Sequence, residues 1–366
     1  MNFSNTLIRW YLENKRDLPW RKTDNPYLIW LSEIMLQQTR VAQGTPYFLS
    51  FTNAFPTVFD LAAANEEQVL KLWQGLGYYS RARNLHKTAQ FVATELSGKF
   101  PDNYNELLKL KGVGEYTAAA IASFSYNEPV PVVDGNVFRV LSRYFEVETD
   151  IASASAKKEF AALAFELMPK DTRGGAELSE ANPAIFNQAI MEFGALQCVP
   201  KSPNCGICIF NESCAALQKK KVDQLPVKSK KLKVRNRYFN YLVVSDDTEN
   251  TVIQKRTAKG IWHNLYEFPL IETQKVEDFD FIANQIQSDF FKENNPSGSE
   301  LAKQMVNLSE INPDSIIHKL SHQHLHIKFW KVHLKGNIEN GINLETLKTF
   351  PFPIVIHNFI EKDFLN

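Results

Sequence analysis

The four cysteines of the chain are the residues whose spacing points most directly to chemistry. They lie within 17 residues in the pattern C-x6-C-x2-C-x5-C, and they are Cys198, Cys205, Cys208 and Cys214. Four thiolates this close in sequence suit one metal centre, either Zn²⁺ or a 4Fe–4S cluster. Zinc ligands usually come as two short-spaced pairs, so outer gaps of six and five residues favour iron–sulfur only modestly. The spacing predicts a metal site and leaves the metal open.

Two carboxylates in apolar surroundings could serve as a general acid and an anion. Glu33 lies in PYLIWLSEIMLQQT (26–39), where burial would raise its pKa and suit it to donate a proton. Helical periodicity, however, puts Glu33 on the flank away from Tyr27, which predicts a solvent-facing side chain. Asp134, in VPVVDGNVFRVLSRYF (130–145), is expected to cap a helix N-terminus and to stay ionised there. An anion so placed could also face a cationic transition state.

A glycine turn between two helical stretches could bind a phosphate. In LLKLKGVGEYTAAAIASF (107–124), Gly112 and Gly114 allow a tight turn before an alanine-rich helix. The unpaired amides at such a helix start bind a phosphate oxygen without any charged side chain. The segment is therefore either a DNA-binding helix–hairpin–helix or an ordinary corner between two helices.

Three histidines alternate near the end of the chain. His322, His324 and His326 would share one face of a strand, as metal ligands can. No carboxylate at a fixed spacing completes the set, so a surface strand is the preferred interpretation.

The elements that must position these residues change type along the chain. The N-terminal segment 1–15 is expected to form an amphipathic helix. Helical periodicity follows Pro26 and continues around 57–72, 80–97, 103–110, 115–125, 136–145, 155–168 and 183–195. Later, alternating runs predict strands at 237–246, 251–256 and 324–334, with a helix at 278–291 and a polar surface loop at 290–300. An all-helical block of roughly 217 residues therefore precedes a smaller α+β block.

The charge is zero overall but unevenly placed. The 366 residues include 41 basic and 41 acidic side chains, a balance that by itself argues against nucleic-acid binding. By segment the net charge is −3 for residues 1–218, +8 for 219–237 and −5 for 238–366. The middle segment is a basic strip, which is a solvated linker or a phosphate contact. No apolar run is long enough to span a bilayer and the N-terminus has no signal pattern, so a soluble intracellular protein is expected.

Several motifs occur in the same order as in the helix–hairpin–helix DNA glycosylases that carry an iron–sulfur cluster. They are WLSEIMLQQT (30–39), GLGYYSRARNLH (75–86), LKGVGEYTAA (110–119), VVDGNV (132–137), MEFGALQC (191–198) and the four-cysteine spacing. The chain resembles most specifically the MutY-type adenine DNA glycosylases, strongly to about residue 217 and weakly beyond. The resemblance favours 4Fe–4S over zinc.

The resemblance implies a two-domain architecture. Residues 1–217 would form an all-α helix–hairpin–helix glycosylase domain with a 4Fe–4S cluster loop, 218–236 a basic linker, and 237–366 a smaller α+β MutT-like (Nudix-fold) domain. A working Nudix hydrolase needs an R-E-x-x-E-E helix to hold Mg²⁺, and the sequence has none. The last domain is therefore expected to read 8-oxoguanine rather than to hydrolyse a substrate.

The resemblance also implies residue roles. Glu33 would protonate adenine at N7, and Asp134 would stabilise the oxocarbenium sugar. Tyr116 and Asn136 would position these carboxyls and the attacking water, with Glu192 as a partner of Glu33. The residues implied to contact the adenine, its base pair or the lesion are Arg21, Gln38, Thr39, Leu76, Tyr78, Ser321 and His322.

The implied activity is base excision repair of adenine mispaired with 8-oxoguanine or guanine in double-stranded DNA. The enzyme would be a monomer in the cytoplasm, nucleoid-associated if bacterial. Related bifunctional glycosylases have a lysine where this chain has Tyr116, so a monofunctional enzyme that leaves an abasic site is expected. The family's Phe-Ser-His loop reads Leu320-Ser321-His322 here, which loses the phenyl ring. A sister glycosylase acting on mispaired thymine or an oxidised pyrimidine, and a non-catalytic DNA-binding protein, are the alternatives.

Overall fold

The computed structural model describes residues 2–169, 182–229, 234–286 and 305–363. The chain divides into two compact units that are not contiguous in sequence. The N-terminal unit comprises Met1–Ala64 and Arg83–Lys230, and the C-terminal unit comprises Asn65–Ala82 and Lys231–Asn366. The sequence did not predict that residues 65–82 group with the C-terminal unit.

Helices make up the regular structure of the described part of the chain up to residue 229. In order they are α1 (Phe3–Asn14), α2 (Pro26–Leu36), α3 (Val41–Ala54), α4 (Val58–Ala63), α5 (Glu66–Leu72), α6 (Ser80–Glu95), α7 (Tyr104–Leu107), α8 (Glu115–Tyr126), α9 (Gly135–Phe145), α10 (Ala154–Leu167), α11 (Pro183–Leu196) and α12 (Ala215–Gln218), with short 3-10 turns at Pro19–Arg21 and Cys205–Ile207. The predicted all-α character of this block is confirmed.

Local capping explains where several of these helices begin. The Asn25 side chain accepts the Tyr27 amide at the start of α2, with Pro26 in the first turn. The single helix predicted over 57–72 is wrong, because α4 ends at Ala63 and α5 starts anew. Asn65 and Gln68 form a reciprocal capping box there, which satisfies amides that a continuous helix would have used internally.

The core of the N-terminal unit lies between α1, α9, α10 and α11. Buried side chains from all four helices form one cluster. Phe210, from the segment 198–214 that contains the four cysteines (the cysteine segment), packs in the same cluster. Phe210 stacks on Phe3 with ring centroids 4.9 Å apart and meets Phe193 edge-on at 5.3 Å. The cysteine segment is therefore anchored to the helical core by an aromatic contact worth about 1 kcal/mol beyond area burial.

A five-stranded mixed sheet forms the centre of the C-terminal unit. Its strands are β1 (Arg235–Ser245), β4 (Leu270–Thr273), β5 (Met305–Glu310), β6 (Ile316–Lys319) and β7 (Gln323–Leu334), and β2 (Gln254–Lys255) and β3 (Tyr266–Glu267) pair separately. β1 and β7 run parallel, with Arg235 opposite Gln323 and Ser245 opposite His333. β5 and β6 pair antiparallel with the other edge of β7, and β4 with the other edge of β1.

Helices cover both faces of this sheet. One face, with Leu242 and Trp330, packs against α13 (Phe279–Gln285). On the other face Phe329 stacks on Phe359 of α15 (Ile354–Asp363) with ring centroids 3.8 Å apart. α14 (Leu344–Leu347) precedes α15. The predicted strands at 237–246 and 324–334 are confirmed by β1 and β7.

Other expectations for this unit fare differently. The strand predicted at 251–256 is reduced to Gln254–Lys255, with Thr251 forming only isolated bridges to Ser245 and Ile342. The helix predicted over 278–291 spans Phe279–Gln285, and its end after residue 286 lies outside the described residues, as does the loop predicted at 290–300. Of the helices in the described ranges, none combines the length and apolar character needed to cross a bilayer.

Candidate active site

A cavity of about 530 Å³ in the N-terminal unit collects the residues predicted to do chemistry. α2, α8, the start of α9 and α11 contribute its walls. All five side chains expected to be catalytic line it, together with Arg21 and Thr39; the five are Glu33, Tyr116, Asp134, Asn136 and Glu192. Gln38 is exposed beside it with a left-handed backbone (φ 55°).

Glu33 is buried, with 6% of its surface exposed, so the solvent-facing position expected from periodicity is wrong. Every residue of α2 from Ile29 to Met35 is buried, which means that this helix has no solvent flank over that stretch. The Tyr116 hydroxyl donates to Glu33 Oε2 at 2.8 Å. Burial raises the pKa of Glu33 to about 7; the Tyr116 hydrogen bond and Arg21 oppose this rise, and Asp134 adds to it.

Asp134 caps α9, as predicted. Its Oδ1 accepts the amides of Asn136 and Val137, each at 2.8 Å, and its Oδ2 accepts the Asn136 side-chain amide at 2.7 Å. Burial raises the pKa of Asp134, while these hydrogen bonds and Arg139 act in the opposite direction. The carboxylate thus has three donors fixed by the helix start, and its orientation towards the cavity is set before any substrate binds.

Arg139 connects this cap to the cysteine segment, and sequence reasoning missed it. Its guanidinium donates to Asn136 Oδ1 at 2.8 Å, which orients the amide of Asn136 towards Asp134. It also donates to the carbonyls of Cys198 and Gly194, both at 2.7 Å. Gly194 is required here because a Cβ would lie 2.6 Å from the Cβ of Asn136. The available signal was the spacing: Arg139 follows Asn136 by three residues, which places the two side chains on one face of α9.

Glu192 lies in an arginine clamp. Arg16 donates to it from its backbone amide at 2.9 Å and from its side chain at 2.8 and 2.5 Å, and Arg21 donates at 2.8 Å. Burial would raise the pKa of Glu192, but the two arginines outweigh it and bring the pKa to about 2. Glu192 is thus an anion whose hydrogen-bond partners are arginines, and Arg21, which it holds, acts electrostatically on Glu33. Arg16 was not predicted.

The glycine turn has the geometry of a tight hairpin. Gly112 has a left-handed backbone (φ 77°), and a Cβ there would lie 2.8 Å from the Cβ of Asn84. Gly114 caps α8 without a side-chain hydrogen bond, and no atom lies within 4 Å of the position of its Cβ. The turn therefore exposes a helix start, as a phosphate site requires.

The remaining predicted DNA contacts belong to the C-terminal unit. Ser321 and His322 are exposed in the turn between β6 and β7. Tyr78 is 46% exposed, and its hydroxyl is hydrogen-bonded to Ser321 Oγ. Leu76, by contrast, is buried, with 5% of its surface exposed. The structure thus joins two residues, 243 positions apart, that the sequence singled out separately.

The four cysteines line a common small cavity of about 30 Å³ next to Arg143 and Phe210. Arg143 donates to Cys198 Sγ at 3.5 Å, and the Phe210 amide to Cys208 Sγ at 3.4 Å. Within the described ranges, no three or more His, Cys, Asp or Glu side chains are grouped so that they could hold a metal ion. Two of the four sulfurs, those of Cys198 and Cys208, accept N–H bonds, and all four cysteines line one space, which suits thiolate ligands of a shared centre.

The alternating histidines do not form a set. His322 lies in the turn before β7, and His326 stacks on Tyr238 with ring centroids 4.7 Å apart. The predicted strand is confirmed for residues 323–334, but the surface position expected for it is wrong. β7 is paired along both of its edges, and alternate residues such as Leu325 and Ile327 are fully buried.

Part of the basic strip is held by acidic side chains of the N-terminal unit. Lys219 and Lys221 both pair with Glu146, and Lys221 also pairs with Glu148 at 2.6 Å. Val227 accepts the Ile151 amide at 3.0 Å. Residues 219–227 therefore lie against α9 and the loop that follows it.

Comparisons with known proteins extend over both units. Residues 31–166 match the family model of the HhH-GPD superfamily of base excision DNA repair proteins, and residues 240–362 match that of the NUDIX domain. An adenine DNA glycosylase from Buchnera aphidicola is 34% identical over 89% of this chain and 86% of its own length. The human adenine DNA glycosylase is 41% identical over 61% of this chain and 41% of its own length. A solved thermostable thymine-DNA glycosylase superposes with a TM-score of 0.52 at 28% identity, covering 59% of this chain and 95% of that one.

Proposed function

The chain belongs to the family of adenine DNA glycosylases, which are hydrolases of N-glycosyl bonds, and from this premise we propose that it excises adenine mispaired with 8-oxoguanine or guanine in double-stranded DNA. One observation supports the chemistry most strongly. Two buried carboxyl groups of different environment, Glu33 and Asp134, line one cavity of a size that takes a nucleobase and its sugar. Such a pair can supply an acid for the departing base and an anion for the sugar cation.

Glu33 acts as the acid in this proposal. With a pKa of about 7 it keeps its proton in a large fraction of molecules at neutral pH and can pass it to N7 of a flipped-out adenine. Protonation neutralises the charge that the base carries away with the electrons of the N-glycosidic bond. Tyr116, whose pKa burial holds well above its ordinary value, remains a hydrogen-bond donor and orients the carboxyl group.

Asp134 acts as the anion. As the C1′–N9 bond breaks, positive charge develops on the sugar, and a carboxylate fixed by three donors stabilises it without reorganising. Water then attacks C1′ and loses a proton, which leaves an abasic site and free adenine. Position 116 is a tyrosine, not an amine, so no Schiff base forms and the enzyme does not cut the strand.

The C-terminal unit reads the lesion opposite adenine in this proposal. Ser321 and His322 are exposed in one turn, where a hydroxyl and an imidazole can donate to or accept from 8-oxoguanine. The Ser321→Ala, His322→Ala double variant should lose discrimination between 8-oxoguanine and guanine more than it loses rate. Equal discrimination by variant and parent would rule out this role.

The four cysteines hold a 4Fe–4S cluster in this proposal, because they line one cavity and the sulfurs of Cys198 and Cys208 accept N–H bonds. When bound, the cluster would hold the segment 198–214 in place. Purified protein should be brown and contain about four iron atoms per chain. Colourless protein with one zinc would overturn the assignment.

A single assay tests the main proposal. Three duplexes carry A opposite 8-oxoguanine, A opposite G, and T opposite G, and the monomeric enzyme is expected to release base from the first two. Release of thymine would favour the sister activity suggested by the likeness to the thymine-DNA glycosylase.

Two further experiments test the mechanism. A stoichiometric protein–DNA adduct trapped by borohydride would contradict the monofunctional mechanism. A Glu33→Gln variant that loses DNA binding rather than turnover would favour a non-catalytic DNA-binding role.

A further inference from the structure

Residues 65–82 are fastened to the C-terminal unit by polar contacts along their length. At the start of α5, the Asn264 side chain donates to Glu66 at 2.5 Å. The Tyr266 hydroxyl donates to the neighbouring Glu67 at 2.7 Å, and Lys255 pairs with the same carboxylate. The first two side chains of α5, Glu66 and Glu67, are therefore both bound to the C-terminal part of the chain.

Lys71 makes the central contact. Its ammonium group donates to the main-chain carbonyls of Lys348 and Phe350, at 2.5 and 3.1 Å. Both carbonyls lie in the segment that follows α14. A half-buried ammonium that satisfies two such carbonyls makes charge-assisted hydrogen bonds, which are about twice as strong as neutral ones.

Two further side chains of residues 65–82 form hydrogen bonds to the main chain of Phe352. Gln74 Oε1 accepts the Phe352 amide at 3.0 Å, and the Tyr79 hydroxyl donates to the Phe352 carbonyl at 3.3 Å. The main chain of residues 348–352 is thus held by Lys71, Gln74 and Tyr79 together; these three side chains are named the 348–352 clamp below.

The loop between these side chains has a backbone with three left-handed residues, of which only Tyr78 is not a glycine. The φ angles of Gly75, Gly77 and Tyr78 are 102°, 75° and 49°, and this conformation is costly only for the tyrosine. Trp73 Nε1 donates to the Gly77 carbonyl at 3.0 Å, and Arg81 donates to the carbonyls of Leu76 and Gly77 at 3.3 and 3.2 Å. This geometry presents Tyr78 outward, where its hydroxyl meets Ser321.

We infer that the three side chains of the 348–352 clamp are positioning residues. They hold loop 75–78 on the C-terminal unit so that Tyr78 takes part in reading the lesion. This inference rests on the proposed function, because Ser321 is taken to read the lesion. The clamp fixes the distance between Tyr78 and the turn that carries Ser321. Tyr78 and the turn with Ser321, both in the C-terminal unit, then contact the base that lay opposite the flipped adenine. Loss of the clamp should therefore reduce the preference for 8-oxoguanine rather than the cleavage chemistry.

The test is the Lys71→Met variant, which removes the ammonium and keeps an apolar stem of similar length. We expect kcat/KM for adenine opposite 8-oxoguanine to fall about tenfold, and kcat/KM for adenine opposite guanine to fall less than about threefold. Hydrogen exchange of the amides of residues 73–79 should rise in the free protein. Lys71→Arg, which retains donors, should restore most of the preference.

Lys348→Met is the matched control, because it makes the same change at the other end of the contact but leaves the carbonyl that Lys71 uses. It should keep the preference of the parent. Equal losses on both duplexes for Lys71→Met, or an unchanged preference with faster exchange at 73–79, would overturn the inference. If Lys71→Met does not fold, the Gln74→Leu variant is judged by the same two ratios. A parent enzyme that releases adenine from neither duplex would refute the proposed function instead, so the two failures are distinguishable.

Discussion

At the scale of single residues, the pKa of Glu33 sets the pH range in which this side chain can donate a proton to the departing base. The pKa of about 7 means that the protonated form dominates below neutral pH and declines above it. We predict that the single-turnover excision rate falls as pH rises through about 7. Tyr116→Phe removes a hydrogen bond that lowers this pKa, so its limb should move to higher pH. Rapid-quench excision between pH 5.5 and 9 measures both limbs.

Tyr126→Phe is a suitable control for that experiment. It removes the same hydroxyl from the same helix, where Tyr126 donates to the Phe100 carbonyl at 3.3 Å, outside the residues that line the cavity. Its pH limb should coincide with that of the parent. A limb that stays in place in Tyr116→Phe would mean that another group titrates.

The sequence predicted the two carboxylates unequally well. Asp134 could be placed as a helix cap because capping depends on residues within three positions. The burial of Glu33 depends on α8, whose Tyr116 lies 83 positions away and covers the side that periodicity assigned to solvent. Arg16 and Arg139 have partners 176 and 59 positions away, which no local pattern encodes.

At the scale of elements, the hairpin offers a matched pair of glycines. Gly112→Ala should lower the free energy of unfolding by more than about 1 kcal/mol, because its left-handed φ and the 2.8 Å approach to Asn84 both resist a Cβ. Gly114→Ala should leave stability within about 0.5 kcal/mol, since its Cβ meets open space. We predict that Gly114→Ala nevertheless weakens DNA affinity severalfold, because a methyl would keep a phosphate from the α8 amides. Urea unfolding and fluorescence anisotropy measure the two effects; undiminished affinity would exclude this hairpin as a phosphate site.

The ion pairs of Arg16 and Arg21 with Glu192 connect the segment before α2 to α11. Glu192→Gln should cost about 3 kcal/mol at pH 7, because it leaves Arg16 and Arg21 without their anion. The folded pKa of about 2 lies below the ordinary value of 4.5. The stabilisation is therefore complete above 4.5 and disappears as pH falls towards 2.

Urea unfolding at pH 7, 5 and 3 checks this expectation. The difference between parent and Glu192→Gln should shrink at the lowest pH. Glu106→Gln breaks an exposed pair with Lys109 and should cost less than about 1 kcal/mol throughout. A difference between parent and Glu192→Gln that does not depend on pH would show that packing, not charge, accounts for the loss.

Sequence periodicity located most helices but not their ends or partners. It joined α4 and α5 because both bury apolar residues at helical spacing, and the break depends on the capping box at Asn65. It also found β7, which largely alternates over 12 residues, and β1, whose consecutive buried residues 239–244 are long enough to detect. Strands of two residues such as β2 are too short to show either pattern.

At the scale of the whole molecule, pairing reduces the charge that the basic strip offers to DNA. Lys219 and Lys221 already have Glu146 and Glu148 as partners. We predict that replacing both lysines by alanine changes the slope of log Kd against log salt by well under one unit. Lys201→Ala, which removes an exposed lysine of the cysteine segment, should change the slope by about 0.9 if that lysine contacts a phosphate. A larger change for the pair would mean that DNA displaces the two glutamates.

The discontinuous C-terminal unit also constrains how the chain can fold while it is being synthesised. The partners of Lys71, Gln74 and Tyr79 lie at residues 348–352, more than 270 positions later. At typical bacterial and eukaryotic translation rates, α5 and its loop wait on the order of tens of seconds at the ribosome before those carbonyls emerge. The flanking helices can assemble in that interval, so residues 65–82 reach their native contacts after the helices on either side of them. A ribosome stalled before residue 348 should therefore hold a nascent chain that proteases cut preferentially between α4 and α6.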